Sequence, residues 1–549
     1  MFSEIDKNSK ISASSEDMAT IGGRRLKRFC VYLFFFVLLA VGLGVHRDYG
    51  LSWDEPQQRF TGAVNLKHIL ERWAPSLITD DLARLPALPD YLDRDHGVAF
   101  ELPLLAAEAI LGLGDKQDIY RLRHLLTFCF CSLGIVAVCL VASSRFSDWR
   151  MGLLGALFVV LTPRLFAESF YNSKDAVFMA AFAIGMSTAI PFIIRPGVWT
   201  ALLHGVATGF ATDVRLMGVL LFVAATAMLA VRLLKREVPL RRTAGAWLFY
   251  LLVSIVFTVA MWPWLWADPI GNFFEAFRLM SKFRWTGDIL YMGNTVPGAA
   301  LPWHYIPAWI ALTTPPLYLV CFLAGAGAIA ACLARSGVGL WRTGREMQDL
   351  FFAGLVVVPL AAVIAMQSVL YGGWRHLYFI YPAFVLVALR GLQLIWQARL
   401  VFPLQRLAIA VVSGACLLST AFWMVKAHPL ENVYFNALAG RNIRDRFDLD
   451  YWGLGNRMAL EYILRNDPAP VIVVRAASET PLHGSIDTLA PPERVRLREA
   501  ADGERAAYAI DNYYGARERI ADVADFELFH DIKVDGEIVL SIYRRKAGG

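Results

Sequence analysis

The chain has 549 residues, of which 57% are hydrophobic and only 18% are charged, and its mean hydropathy is +0.46. This balance is too apolar for a soluble globular protein and indicates a protein of the lipid bilayer. The formal net charge of +6 does not indicate a nucleic-acid partner, because much of the Lys and Arg excess lies in short loops where membrane topology accounts for it.

The N-terminal segment combines a polar lead with a basic run and a first apolar stretch. Residues 1–23 are polar and predict a disordered cytoplasmic lead, and the basic run 24–28 precedes an apolar segment at 29–45. A cleaved signal peptide is the alternative interpretation. The segment runs into His46 and Arg47 without a small-residue cleavage site, so we predict a retained membrane anchor.

Ten further apolar segments follow, most of them of membrane-helix length. They lie at 124–142, 151–163, 176–194, 198–213, 216–231, 244–262, 305–333, 350–369, 377–393 and 407–425. The sequence therefore predicts an α-helical polytopic membrane protein with about eleven transmembrane helices, in a membrane domain covering 24–425. The segment at 151–163 is the shortest of the set.

Positive charge is distributed unevenly among the loops. Lys and Arg concentrate in loops 24–28, 145–150, 232–242, 335–345 and 390–406, which share the side of the N-terminus. The positive-inside rule makes that side cytoplasmic. An odd number of spans then predicts that the C-terminus lies on the outer side.

Two large segments fall on the outer side. The first loop, 46–123, contains an apolar piece, Phe100–Leu113, that is too short and too acidic to span and predicts a helix on the membrane surface. The tail, 426–549, has an amphipathic stretch near 455–465 and β-branched runs at 470–474 and 538–544. This pattern predicts a small periplasmic α/β domain.

A carboxylate pair, Asp54 and Glu55, directly follows the first membrane helix. A structural interpretation is available, because Ser52 and Glu55 have the spacing of a capping box and Asp54 would be favourable in a first helical turn. A catalytic role is the alternative. It is favoured by the position of the pair at the membrane face, and the spacing of the two residues does not support it further.

Further charged residues lie at other predicted outer boundaries. Lys174 and Asp175 follow the third span, where Asn172 or Ser173 could equally cap the fourth helix while Lys174 reaches the interface. Arg215 stands between two apolar spans. An arginine at a helix centre costs about 2.5 to 3.5 kcal/mol on insertion scales, so we expect Arg215 at the interface or facing water.

The predicted topology brings five charged residues to one membrane face: Asp54, Lys174, Asp175, Arg215 and Arg375. Two acidic groups beside three cations can bind a phosphate and activate a hydroxyl. Channels and carriers more often have their ionisable residues at mid-span. The arrangement therefore favours an enzyme.

These motifs together resemble the membrane-embedded C-type glycosyltransferases, in particular the bacterial relatives of protein O-mannosyltransferases and of lipid A aminoarabinose transferases. The matching pieces are Trp53-Asp54-Glu55-Pro56, Asn172-Ser173-Lys174-Asp175, Gly205, Gly209, Thr212, Arg215, Arg375-His376-Leu377-Tyr378, Tyr381-Pro382, 428–436 and 449–453. His376 stands where an aromatic residue is usual in that family.

The resemblance implies an inverting transferase of the bacterial inner membrane that takes a sugar from a polyprenyl-phosphate donor. The acceptor would be a hydroxyl or phosphate of a glycolipid, glycan or protein. Asp54 would act as general base, with Glu55 assisting it. The residues expected to bind the phosphate and sugar of the donor are Lys174, Asp175, Arg215, Arg375 and His376.

Metal ions and organic cofactors are not expected to take part. Asp54 and Asp175 could ligate Mg²⁺, but the neighbouring cations can perform the same electrostatic task. The seven cysteines all lie in apolar stretches and predict neither a disulfide framework nor a CxxC metal site. We therefore predict activity without a metal.

Two other functions remain open from the sequence. A transporter or lipid flippase could use the same charges to line a pathway, although the chain has no paired Gly- or Pro-broken spans in two corresponding halves. A receptor with a periplasmic sensor tail is the third possibility, and it gives no reason for a carboxylate pair just after the first span.

Overall fold

The computed structural model describes residues 25–281, 283–398, 402–515 and 525–546. The predicted disordered lead, 1–23, lies outside the described residues. Within them the chain is mostly helical, with a small β-sheet region near its C-terminal end. These features agree with the predicted fold class.

Seventeen α-helices precede the tail, counted over the described residues and leaving out short 3₁₀ turns. They are α1 (Arg25–Val45), α2 (Asp54–Trp73), α3 (Asp80–Ala83), α4 (Glu101–Ile110), α5 (Lys116–Phe146), α6 (Trp149–Val160), α7 (Pro163–Tyr171), α8 (Asp175–Ile194), α9 (Val198–Val214), α10 (Val219–Leu234), α11 (Leu240–Met261), α12 (Pro269–Ser281), α13 (Tyr305–Thr313), α14 (Pro316–Ser336), α15 (Gly344–Ala365), α16 (Tyr381–Gln397) and α17 (Pro403–Ala427). A short hairpin of β1 (Asp288–Tyr291) and β2 (Asn294–Pro297) lies between α12 and α13.

Nine helices in the described ranges are long and apolar enough to cross a bilayer, or ten spans if the bent pair α6 and α7 counts as one. The remaining predicted span, 198–213, is α9, whose 17 residues are at the lower limit for crossing. Each of the eleven predicted segments thus coincides with a helix or a helix pair.

Two predicted spans differ from the structure in detail. The segment at 151–163 covers most of α6 and ends at Pro163, where α7 begins at an angle of 73° to α6. The segment at 305–333 is not one helix. It divides between α13 and α14 at Pro315 and Pro316, since proline has no N–H to continue a helical hydrogen-bond ladder.

Three helices form the centre of the membrane region. About two thirds of the central apolar stretch of α8 and of α16 is buried within the protein, and that of α5 nearly as much, against 11% for α1 and α17. A helix that is apolar on all sides is stable in the interior. The outer helices instead leave their apolar faces available to lipid.

The packing of α9 against α11 depends on two glycines of the motif that ends at Arg215. A Cβ atom on Gly205 would lie 2.7 Å from Val253, and one on Gly209 would lie 2.9 Å from Phe257. Small residues four apart let two membrane helices approach closely. The glycines therefore fix the position of α9 and of Arg215 at its C-terminal end.

The tail folds around a five-stranded sheet with strand order β4-β3-β5-β7-β6. Its elements are α18 (Gly455–Asn466), β3 (Ile472–Ala476), α19 (His483–Asp487), α20 (Pro491–Arg494), β4 (Leu497–Glu499), β5 (Tyr508–Asp511), β6 (Phe526–Val534) and β7 (Glu537–Arg545). Strand β3 is parallel to β4 and β5, whereas β7 is antiparallel to β5 and β6. The predicted helix 455–465 is α18, and the strands predicted at 470–474 and 538–544 overlap β3 and β7.

The tail is attached to the first loop by hydrogen bonds and ion pairs. Arg457 donates to the carbonyl oxygens of Arg47 and Tyr49 at 2.7 and 3.1 Å, and Arg494 pairs with Asp115 at 3.1 Å. The amide of Trp53 donates to the carbonyl of Trp452 at 3.1 Å. The start of α2 is therefore held against the tail.

Candidate active site

Five charged side chains from four separate segments meet at one place, and we refer to them as the charged cluster: Asp54, Lys174, Asp175, Arg215 and Arg375. All five were expected from the sequence. Each lies at or next to the end of a helix. Asp54 begins α2, and Asp175 begins α8 directly after Lys174. Arg215 follows α9, and Arg375 opens the 3₁₀ turn before α16.

Arg375 connects the two carboxylates of the charged cluster. Its Nη1 donates to Oδ2 of Asp54 at 2.6 Å and lies 3.4 Å from Oδ2 of Asp175. The other oxygen of Asp175 pairs with Arg215. Asp175 and Arg375 are almost fully buried, whereas the side chain of Asp54 keeps 29% of its exposure. Asp54 is thus the carboxylate that an incoming molecule can reach.

The guanidinium group of Arg375 lies between two aromatic rings. Its carbon is 4.8 Å from the centre of the Tyr371 ring and 4.5 Å from that of Trp452. Cation–π contacts of this kind hold a guanidinium in one orientation. Trp452 belongs to the segment just before α18, so the tail contributes directly to the site.

The two arginines retain unused donors. The Nε–H groups of Arg215 and Arg375 are buried without a hydrogen-bond partner among the described residues. Guanidinium N–H groups match phosphate oxygens in geometry. These two N–H groups have almost no accessible surface in this structure, so a phosphate would reach them only after the neighbouring side chains move.

Lys174 lies in the turn between α7 and α8. Burial, together with the positive charge of Arg215, lowers the pKa of Lys174 from 10.5 to about 8, although Asp175 and Asp54 oppose the shift. The lysine is thus protonated at neutral pH but close to losing its charge. A bound anion would favour the protonated form.

Local hydrogen bonds hold the carboxylates in place. Oδ1 of Asn172 accepts from the amide of Asp175 at 2.7 Å, which agrees with a capping role at the start of α8. The hydroxyl of Ser52 donates to the carbonyl of Tyr171 at 3.1 Å. The loop before Asp54 is thereby tied to the loop before Asp175.

Glu55 is not brought into the charged cluster, in contrast to the expectation that it acts with Asp54. It accepts from the amide and hydroxyl of Ser52 at 2.8 and 3.0 Å and pairs with His124 at 2.9 Å. Its contact with Ser52 is the one expected from the capping-box spacing. The side chain is 2% exposed, so it faces the protein interior.

His376 lies beside the charged cluster. Its ring packs edge-on against Tyr371, with 4.8 Å between the ring centres, and its Nδ1 is buried without a partner in the described part of the chain. The structure therefore brings His376 to the aromatic wall of the site, where it makes no ion pair with the cluster among the described residues.

Two buried carboxylates next to the charged cluster were not assigned a role from the sequence. Glu168 accepts from the hydroxyls of Tyr378 and Tyr451 at 2.7 and 3.2 Å. Asp213 accepts from the amide of Ala99 at 2.6 Å. Both join distant segments, and their sequence positions, seven residues before Asp175 and two before Arg215, are the signal that could have indicated this.

A second group of possible metal ligands lies in the first loop. Single ligand atoms of Asp93, Asp95 and His96 are all within 4.8 Å of one another. Arg284, however, donates to Asp93 and Asp95 at 3.1 and 2.9 Å. The positive charge of Arg284 thus offsets the negative charges of these carboxylates. Arg375 has the same relation to Asp54 and Asp175.

Comparisons with known proteins find likeness in structure only. No family model and no curated protein matches the sequence. Among solved structures, the chain is similar to ArnT from Cupriavidus metallidurans bound to undecaprenyl phosphate, with 14% identity, a TM-score of 0.47, and coverage of 94% of this chain and 98% of that one. It is also similar to the Archaeoglobus fulgidus oligosaccharyltransferase in its apo form, with 11% identity and a TM-score of 0.47, over 87% of this chain and 65% of that one.

Proposed function

We propose that the protein is a glycosyltransferase that moves a sugar from a polyprenyl-phosphate donor to an acceptor, with the charged cluster as its active site. One observation carries this proposal: Arg375 contacts Asp54 and Asp175 together. A reachable carboxylate and a group of cations therefore adjoin one another, as the transfer of a sugar away from a phosphate requires.

The cations suit the phosphate of the donor. With three cations and two carboxylates, the charged cluster has one net positive charge, which complements the single negative charge of a phosphodiester. The guanidinium groups of Arg215 and Arg375 and the ammonium of Lys174 would bind its oxygens. As the sugar departs, charge accumulates on the lipid phosphate and these contacts strengthen.

Asp54 is suited to activate the acceptor. The ion pair with Arg375 uses Oδ2 of Asp54, and within the described residues its second oxygen, Oδ1, has no hydrogen-bond donor. That oxygen would take the proton of the acceptor as the new bond to the anomeric carbon forms and the bond to the lipid phosphate breaks. Attack opposite to the leaving phosphate inverts the anomeric centre.

Glu55 and His376 have different proposed roles. Because Glu55 is bound to Ser52 and His124, we assign it the positioning of Asp54 rather than contact with the acceptor. His376 keeps the proposed role of contacting the donor, since it adjoins the ring that covers Arg375. No metal is required by this scheme, because Arg375 bridges the carboxylates of Asp54 and Asp175.

The position of the charges favours transfer over transport. Every member of the charged cluster lies at or beside a helix end, whereas transport pathways usually place ionisable groups near the middle of the bilayer. We propose that the cluster faces the periplasm of a bacterial inner membrane, with the N-terminus cytoplasmic and the C-terminus periplasmic.

The test is the substitution Asp54→Asn, with Asp81→Asn as its control. Asp81 is an exposed carboxylate of the same loop. Glycolipids of cells producing each variant would be compared by mass spectrometry, and binding of undecaprenyl phosphate would be measured on the purified proteins. We expect Asp54→Asn to lose the product and retain lipid binding. Normal product from a stably produced Asp54→Asn variant would overturn the proposal.

A further inference from the structure

A cavity of about 370 Å³ opens on the side of Asp54 that faces the tail. This volume is within the usual range for ligand pockets, about 300 to 1,000 Å³. Its walls come from the start of α2, the segment before α18 and the loop leading into α19. The first loop and the tail therefore enclose it jointly, beside the one exposed carboxylate of the charged cluster.

The walls of this cavity are polar but almost uncharged. Side-chain amides and hydroxyls are contributed by Ser52, Gln57, Asn456, Thr480 and Ser485, and indole rings by Trp53 and Trp452. Asp54 is the only carboxylate among the described residues that line it, and none of those residues is Lys or Arg. His483 is the other ionisable side chain of the lining, and it pairs with Glu499 at 3.5 Å. The cations of the charged cluster lie on the other side, where Trp452 covers Arg375.

One buried group in this cavity lacks a partner. Asn456 is 1% exposed, and its Nδ2 donates to Oγ1 of Thr480 at 3.2 Å. Its Oδ1 has no hydrogen-bond partner among the described residues. Buried acceptors are almost always satisfied, by protein, water or ligand. The missing partner must be a donor, and a hydroxyl supplies one, whereas an ionised phosphate has only acceptor oxygens.

Gly453 makes this arrangement of Asn456 possible. Its φ of +74° is in the left-handed region, and a Cβ atom there would lie 3.0 Å from Thr480 and 3.3 Å from Nδ2 of Asn456. Only glycine adopts this conformation readily. The chain thus turns sharply after Trp452 and directs Asn456 and Thr480 together at the cavity.

We propose, on the basis of the function proposed above, that this cavity is the acceptor subsite and that it binds a neutral sugar unit through its hydroxyl groups. Asp54 and Asn456 would accept from sugar hydroxyls, and the exposed ring of Trp53 would pack on the apolar face of the sugar. The acceptor is therefore a carbohydrate hydroxyl. A phosphate would meet no Lys or Arg side chain among the described residues of this cavity.

The reaction then follows with its atoms in balance. The sugar hydroxyl gives its proton to Oδ1 of Asp54, and its oxygen bonds to the anomeric carbon of the donor. The bond between that carbon and the phosphate oxygen breaks, and its electron pair leaves with the polyprenyl phosphate. The product is an O-glycoside.

The chemical linkage in the product distinguishes a sugar-hydroxyl acceptor from a phosphate acceptor. Glycolipids gained by cells producing the wild-type protein would be treated with mild acid, which cleaves glycosyl phosphates and spares ordinary O-glycosides. An acid-stable linkage supports the acceptor subsite. Release of the transferred sugar would overturn it, while the transferase function proposed above would stand.

The substitution Trp53→Ala tests the cavity itself. Trp53 is 47% exposed, so its removal should not unfold the protein, and Trp73→Ala, at the exposed far end of α2, is the matched control. We expect Trp53→Ala to reduce product formation about tenfold, as the loss of one aromatic contact does, with undecaprenyl phosphate binding unchanged. An unchanged yield would overturn the proposal.

A second variant tests the unpaired acceptor. Thr480→Val removes the partner of Asn456 while keeping its shape, and Thr488→Val is the control in the same region of the tail. We expect reduced transfer and unchanged undecaprenyl phosphate binding from Thr480→Val alone. Reduced lipid binding in this variant would contradict a separate acceptor subsite.

Discussion

Arg375 donates to Asp54 although 321 residues separate them in the chain. The same nitrogen of Arg375 also lies 3.4 Å from Asp175. A single guanidinium thus fixes the spacing of two carboxylates that come from different helices. Because it is buried between Tyr371 and Trp452, it has few other positions to adopt.

Replacing Arg375 with lysine should weaken donor binding. Lysine keeps the charge but has neither the paired N–H groups nor the flat surface that packs between two rings. We expect Arg375→Lys to reduce the affinity for undecaprenyl phosphate about tenfold or more, since charged hydrogen bonds contribute about 1.5 to 3 kcal/mol each. Titration of the purified protein measures this. Arg72→Lys, at the exposed end of α2, should bind as the wild type does, and equal affinity in both variants would contradict the role of Arg375.

Donor binding should depend on pH through Lys174. Burial near Arg215 lowers the pKa of Lys174 to about 8, so the side chain is positive below this pH and neutral above it. Affinity for undecaprenyl phosphate should therefore fall as the pH rises from 7 to 9. In Lys174→Arg the positive charge persists over this pH range. The part of the fall in affinity that comes from deprotonation of Lys174 should therefore be absent. The same pH profile in both proteins would remove Lys174 from the donor site.

The ion pairs behind the first loop should be important for folding. Arg123 is 1% exposed and pairs with Glu101 and with Glu108, the latter at 2.8 Å. Removing one partner of a buried pair leaves an uncompensated charge and costs about 3 to 5 kcal/mol. We expect Arg123→Leu to lower the thermal unfolding temperature strongly. Arg121, two residues earlier, is partly exposed, so Arg121→Leu should change the unfolding temperature little. An equal decrease in both variants would contradict the importance of the buried ion pairs.

Stability should also change with pH at the junction of α17 and the tail. Burial alone would lower the pKa of His428, but hydrogen bonds to Glu431 and Asp48, at 2.8 and 3.0 Å, raise it above its usual value. The charged ring therefore stabilises the fold fully below pH 6.5, and this contribution is lost as the pH rises through the raised pKa. We expect the unfolding temperature of the wild type to fall between pH 6 and pH 8.5 more than that of His428→Gln. A matching fall in both would exclude His428 as the cause.

Much of the membrane architecture could be predicted because insertion into a bilayer depends on local composition. Each predicted apolar segment coincides with a helix or a helix pair. The break within 305–333 is also local, because Pro315 and Pro316 mark it. The meeting of Asp54 and Arg375 could be expected because membrane topology restricts where helix ends lie.

Other contacts could not be predicted because they depend on tertiary packing. Nothing local to Glu55 indicates that it pairs with His124 and so faces away from Asp54. The packing of Trp452 on Arg375 could be predicted only by knowing how the tail folds back on the first loop. Pairings of this kind join residues hundreds of positions apart, and no periodic pattern encodes them.

Trp452 belongs to the last fifth of the polypeptide, yet it completes the surroundings of Arg375. Every candidate membrane helix among the described residues comes before it in the chain. When α17 has entered the bilayer, all five residues of the charged cluster have therefore been synthesised. Trp452, whose ring covers Arg375, has not. The proposed transferase activity should therefore arise only after the tail has folded against the first loop.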